Sequence, residues 1–302
     1  MTNTSHPLHS VVSACAPLRF APLPQLPGLD GTDPGSRAGD GLPRPDVSSP
    51  ATAPPHWYRA AGLAEAAVLG PLYDKLRAEH GPDHRLAAVH RFLRSLLREP
   101  IFLVSAGTYL TGRAPLLSPT HLWLPWQDNA RFDTPVVTDP RIAVLPDDPY
   151  AGHPDTITVA DVATRDQWAA RHLVAACAPI VAGVHEHTRM NKRNLWGWVV
   201  DTVYFYMLNP ARFLGHDARQ AWAQATRLAD EIARAGAVLR ERPRLFPFCE
   251  SHPQGTWAVR STCCFDYKAD PEHGYCVTCP LRDDASRQAE LMDWIRTPAL
   301  SP

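Results

Sequence analysis

The sequence predicts an α+β fold that is mainly helical: a helical bundle packed with a small antiparallel sheet and finished by a cysteine-rich C-terminal loop. Three observations predict it. Apolar residues recur at helical spacing over long stretches, as at Leu86, Val89, Phe92, Leu93 and Leu96. Between about Thr111 and Val159 the pattern breaks instead into short β-prone pieces separated by prolines. Four of the seven cysteines then crowd together at Cys263, Cys264, Cys276 and Cys279.

Composition sets the frame. The chain has 302 residues, 45% of them hydrophobic and 20% charged, as in an ordinary globular protein. A net charge of −1 argues against a nucleic-acid partner, whose footprint would be basic. No apolar run is long enough to span a bilayer, which leaves room only for peripheral association with a membrane. No basic residue precedes Arg19 and no continuous apolar core follows, so a secretory signal is not expected and the cytoplasm is.

Three regions are expected. Residues 1–54 hold ten of the 31 prolines, mixed with Gly28, Gly31, Gly35, Gly39 and Gly41, and read as a flexible leader. Within it, Val11 to Leu26 is apolar enough to lie against the rest. Residues 55–250 form the helical body with its sheet, and 251–302 the cysteine segment with a closing helix.

Within the body, helices are expected over Trp57 to Leu69, Tyr73 to His80 (stopped at Gly81-Pro82) and His84 to Arg98, with another opened by Pro100. Strand candidates are Leu122–Leu124, Pro135–Val137, Arg141–Leu145 and Thr156–Val159. A long helix from Val162 to Met190 should kink or split at Pro179. The next, Asn194 to Leu208, should close at Asn209-Pro210, and an amphipathic helix follows from His216 to Arg240. Trp257 to Val259 is β-prone, and Asp283 or Asp284 can cap a last helix from Ala285 to Ile295. Cys177 reads as a core residue. His185 and His187 stand two apart on a helix and so on different faces, which disfavours shared ligation.

The cysteines carry the chemistry. Cys276-Val277-Thr278-Cys279 brings two thiolates to one centre if the backbone turns between them. Cys263 and Cys264 are adjacent, and on a regular strand would point to opposite faces, so joint ligation requires a turn. Four sulphurs suit zinc in a closed structural knuckle or iron in a one-electron centre. Two disulfides fit a chain of this size and expected compartment poorly. No glycine-rich nucleotide loop, P-loop or H-E-x-x-H stands in a suitable context.

The run Cys263-Cys264-Phe265-Asp266-Tyr267, then Cys276-Val277-Thr278-Cys279-Pro280-Leu281, resembles the C-terminal signature of the siderophore-iron reductase family, also called ferric iron reductases or ferrioxamine reductase-like proteins. Eleven residues separate the cysteine pairs here, one more than in that pattern. A weaker likeness is Leu195-Trp196-Gly197 ahead of an apolar helix. The resemblance implies a [2Fe–2S] cluster on Cys263, Cys264, Cys276 and Cys279. It further implies one-electron reduction of a ferric siderophore, a hydroxamate by family habit, and an external donor such as a ferredoxin. By the same likeness, Arg193, Asn194 and Trp196 become substrate-pocket candidates. Arg260, Lys268, Arg282 and Arg287 flank the cysteines and would favour the more negative, reduced cluster. Two alternatives stay open: a zinc-bound structural or interaction module, and an iron–sulphur redox or iron sensor without turnover.

Overall fold

Long helices with wide apolar faces need one another to hide those faces, and their pairing sets the architecture. The computed structural model describes residues 6–18, 21–26, 56–81, 83–249, 251–252, 254–272 and 274–296. Its frame is α3 (Arg85–Thr111), α4 (Val162–Thr188), α5 (Lys192–Leu214) and α6 (Ala218–Arg234), with α3 against α5 and α6 against both α4 and α5. Side chains satisfy three of the helix starts. Asp161 accepts from Thr164 N at 2.8 Å, Asn191 from Arg193 N at 2.8 Å and Asp217 from Arg219 N at 2.7 Å. The four helices bury one continuous core that includes Phe92, Leu96, Phe102, Cys177, Val200 and Tyr204.

The prolines do not divide these helices. Pro71 lies inside α2 (Ala66–His80), Pro100 inside α3, Pro179 inside α4 and Pro210 inside α5. The helix boundaries expected at Pro100 and Pro210 and the split allowed at Pro179 are therefore corrected, as is the separate helix from Tyr73. An interior proline costs about 3 kcal/mol. Around Pro100, Leu96, Leu97, Ile101, Phe102 and Leu103 are all fully buried. Each contributes about 1.5–3 kcal/mol, so packing outweighs the lost hydrogen bond.

Two other expectations change. Trp57–Arg59 is not helical but a strand, β1, paired antiparallel with Trp123–Pro125, and a 3-10 turn over Ala60–Ala64 leads into α2. There, Gly183 of α4 comes so close to the Leu63 carbonyl that an added Cβ would overlap it. The leader is not wholly flexible either. Pro7–Cys15 forms α1, which packs on α3 and buries Leu8, Val11 and Cys15. The rest of that leader, apart from residues 6, 16–18 and 21–26, lies outside the described residues.

The sheet is small but divided. β3 (Leu122–Gln127) pairs antiparallel with β1, β4 (Arg131–Phe132) and β5 (Val136–Val137). A second sheet joins β2 (Ala114–Pro115), β6 (Ile142–Val144) and β7 (Thr156–Thr158), and its β6–β7 pair is parallel rather than antiparallel. Trp123 is buried with Trp57 and Val136, and Trp126 in the main core, so both are packing residues.

The C-terminal segment has its own small core. The antiparallel hairpin of β8 (Arg244–Pro247) and β9 (Thr256–Val259) packs with α8 (Asp284–Arg296) through Phe246, Phe248, Val259 and Leu291. β9 rests on α5. Among the described residues, no helix is long and apolar enough to cross a membrane.

Candidate metal centre

The adjacent cysteines follow β9 directly. Arg260 N donates to Thr278 O at 2.9 Å, tying the end of the strand to the C-x-x-C loop. Between the two cysteines of that loop, Cys279 N donates to Cys276 O at 2.9 Å, closing the turn that brings both thiols to one side. On the other limb, Phe265 takes a left-handed conformation (φ 62°) immediately after Cys264. The turn that an adjacent pair requires is made there, and Phe265 N donates to Cys263 Sγ at 3.3 Å. The short helix α7 (Asp266–Ala269) then begins the eleven-residue return.

All four thiols converge, and none is in a disulfide. Contacts run from Cys263 to Cys279, from Cys279 to Cys276 and from Cys276 to Cys264. The bond with Cys279 holds Cys263 below the ordinary thiol range, whereas the bond with Cys276, together with burial, pushes Cys264 up. One tetrahedral zinc ion, with Zn–S near 2.3 Å, needs every pair of its four sulphurs about 3.8 Å apart. The contacts form one chain in which Cys279 and Cys276 each touch two others, and four thiols are a donor set that suits either zinc or a [2Fe–2S] cluster.

Arg260 provides the positive charge. Its Nη2 donates to Cys276 Sγ at 2.7 Å and to Cys264 Sγ at 3.3 Å. Burial pulls the guanidinium down, but the charges of Cys276 and Cys264 outweigh it and raise it overall. The other flanking cations act on the frame. Arg287 of α8 is fully buried and donates to the carbonyls of Val277 (3.0 Å), Cys279 (2.7 Å) and Arg282 (2.9 Å). Arg282 reaches Tyr275 O at 3.2 Å, and Lys268 lies over the rings of Phe265 and Tyr267.

The helical body grips the segment through residues that sequence reasoning missed. Asp201 of α5 is buried and accepts four hydrogen bonds: from Ser261 N and Oγ (both 2.8 Å) and from Thr262 N (2.9 Å) and Oγ1 (2.5 Å). Burial raises its pKa, with the four donors opposing. One turn earlier stands Gly197, where an added Cβ would overlap Thr262 Cγ2. The glycine of Leu195-Trp196-Gly197 is thus what lets the cysteine segment sit down on α5. The available signal was a lone acid four residues beyond that glycine, in an otherwise apolar stretch.

Gly197→Ala separates two effects of opposite sign. Helix propensity favours alanine by about 1 kcal/mol, while overpacking costs about 1–3 kcal/mol. The expected outcome is net destabilisation in a denaturant melt, with hydrogen exchange accelerated over residues 260–265.

Asn194 and His90 complete the grip. Asn194 Oδ1 lies 2.7 Å from His90 Nε2, and the His90 ring packs on Phe265 at 5.9 Å. Burial pushes His90 down to about 4 despite the bond to Asn194. The unfolded chain takes this proton near pH 6.5, the folded one only near 4. Stability should therefore be full above pH 6.5 and fall as pH drops towards 4, by about 3 kcal/mol across the window. Denaturant melts from pH 7 to 4 should show this slope, and His90→Gln should flatten it.

The pocket candidates part company. Arg193 and Asn194 line a cleft of about 590 Å³ that also includes Cys263, Arg240 and Glu241. Trp196 is buried in the main core instead, on a different face of α5 from Gly197 and Asp201. His185 and His187 are separately engaged, the first with Met190 O (2.7 Å) and the second with Asp74 (3.2 Å).

Among the described residues, one other cluster has metal-ligand residue types, His6, His153 and Asp155. Both histidines accept a backbone N–H on Nδ1, from Leu8 and Asp155 respectively, at 3.1 Å. The ring protons therefore sit on Nε2, and that of His6 points to Asp155 Oδ2 at 3.1 Å. This arrangement is a hydrogen-bonded latch for α1, in which the Nδ1 lone pairs of both histidines are already engaged. No family model, curated protein or solved structure matches the chain.

Proposed function

We propose that the protein is a ferric-siderophore reductase that releases ferrous iron in the cytoplasm, with Cys263, Cys264, Cys276 and Cys279 holding a [2Fe–2S] cluster. The observation that carries the reading is the convergence of four reduced thiols beside an open cleft, with a guanidinium on two of the sulphurs. Bound there, the cluster supplies a one-electron couple, near −400 mV where four cysteines ligate it in plant-type ferredoxins. The electron comes from an external low-potential donor, a ferredoxin in the resembled family.

Each protein group has a defined part. Arg260 offsets negative charge on Cys264 and Cys276 and so favours the reduced state. Asp201 and Arg287 hold the two cysteine loops in fixed relation, through Ser261-Thr262 and through the carbonyls of Val277 and Cys279. The cleft seats the chelate against Cys263. Ferrous iron binds hard oxygen donors more weakly than ferric iron does, so the reduced ion leaves the siderophore. No bond of the chelator breaks, and no nucleophile–base pair is required.

The test is anaerobic purification and EPR of the dithionite-reduced protein, then a ferric hydroxamate with a ferrous-specific trap. A reduced [2Fe–2S] signal should vanish in proportion to the ferrous iron trapped. A colourless protein carrying equimolar zinc would overturn the reading.

A further inference from the structure

Resting on that reading, we infer that the cleft selects its ferric chelate by pendant charge, favouring one that carries a carboxylate over a cationic counterpart. The exposed charged residues lining it are Arg193, Arg240 and Glu241. Arg240 Nε lies 3.4 Å from Glu241 Oε1, both side chains being largely in solvent. Among the described residues, Arg193 has no acidic partner. The exposed lining thus carries a net positive charge, and its source is Arg193.

The position of the charge matters as much as its sign. Cys263, which bears negative charge whenever it ligates metal, is half-buried in the same cleft, whereas the arginines are exposed. A chelate whose metal core faces Cys263 would present its periphery to Arg193 and Arg240. The preference therefore concerns groups hung on the outside of the chelate, not the charge of the iron-binding oxygens. At 590 Å³ the cleft falls in the size range of small-molecule sites, so a pendant group stays within reach of its walls.

The experiment uses one ferric trihydroxamate in three forms, with its pendant amine free, acetylated or succinylated, so that iron donors are constant and only peripheral charge varies. Binding to the oxidised full-length holoprotein is measured by equilibrium dialysis, without turnover. The succinylated form should bind about tenfold more tightly than the free amine, with the acetylated form between them. The spread should narrow at high salt, because exposed charges are screened. Arg193→Glu, an exposed change that the fold tolerates, should level or reverse the order. Equal binding of all three forms, or an order that survives Arg193→Glu, overturns the charge selection and leaves the reductase reading standing. If no form binds, both fall.

Discussion

Replacing Asp201 with alanine releases the cysteine segment from the helical body while the body stays folded. The carboxylate is the hub of the join: four donors on two successive residues, Ser261 and Thr262, converge on its two oxygens. Removing it leaves two backbone N–H groups and two hydroxyls without acceptors, at a cost of about 1–3 kcal/mol for each donor that stays buried and unpaired. That cost falls on a unit with only a small core of its own, Phe246, Phe248, Val259 and Leu291, whereas α3 to α6 share the main core. Hydrogen exchange should accelerate across residues 256–281 and remain slow in α3 and α4. Asp201→Asn should lose less, because its carbonyl still serves one donor pair while its NH₂ faces the other. Equal protection in wild type and Asp201→Ala would show that the segment is held by its other tethers. One of these is Arg212, buried over Trp257 at 3.9 Å and bonded to Gln254 O at 3.1 Å.

This join marks the limit of what the sequence discloses. The mainly helical α+β class was legible because apolar stripes such as Val89, Phe92, Leu93 and Leu96 keep a 3.6-residue period over many turns. The candidate ligands were legible because four cysteines fall within seventeen residues, in a spacing that suits metal ligation better than two disulfides in a chain of this size. Local rules failed where long-range packing outvoted them. Pro100, Pro179 and Pro210 look like helix ends, yet each sits in a helix whose neighbours' burial exceeds the loss of one hydrogen bond. Trp57-Tyr58-Arg59 stands in an alanine-rich run but finds a strand partner some 65 residues away, which no local window contains. In the proline-rich leader, Leu8, Val11 and Cys15 still mark one face of a helix, with Pro7 at its first position where proline is tolerated. Asp201 is the plainest case. Its four donors are sixty residues distant, so nothing around it in the chain distinguishes an anchor from a surface acid.

Arg260→Leu is expected to shift the reduction potential of the centre to more negative values by about 60–120 mV. The guanidinium gives two N–H···S bonds, and its Nε is buried without a hydrogen-bond partner, so water could not readily take over its role. A hydrogen bond to a charged group contributes about 1.5–3 kcal/mol. Part of that persists in both oxidation states, and only the difference moves the potential. For one electron, 59 mV corresponds to about 1.4 kcal/mol, which sets the scale of the shift. Arg260→Lys should fall between the two, since it keeps the charge but loses the rigid planar Nη2 that donates to both Cys264 and Cys276. An EPR-monitored redox titration of the three proteins measures this independently of turnover. If their potentials coincide, Arg260 serves only to hold β9 against the cysteine loop, and the tuning must lie with backbone donors such as Phe265 N.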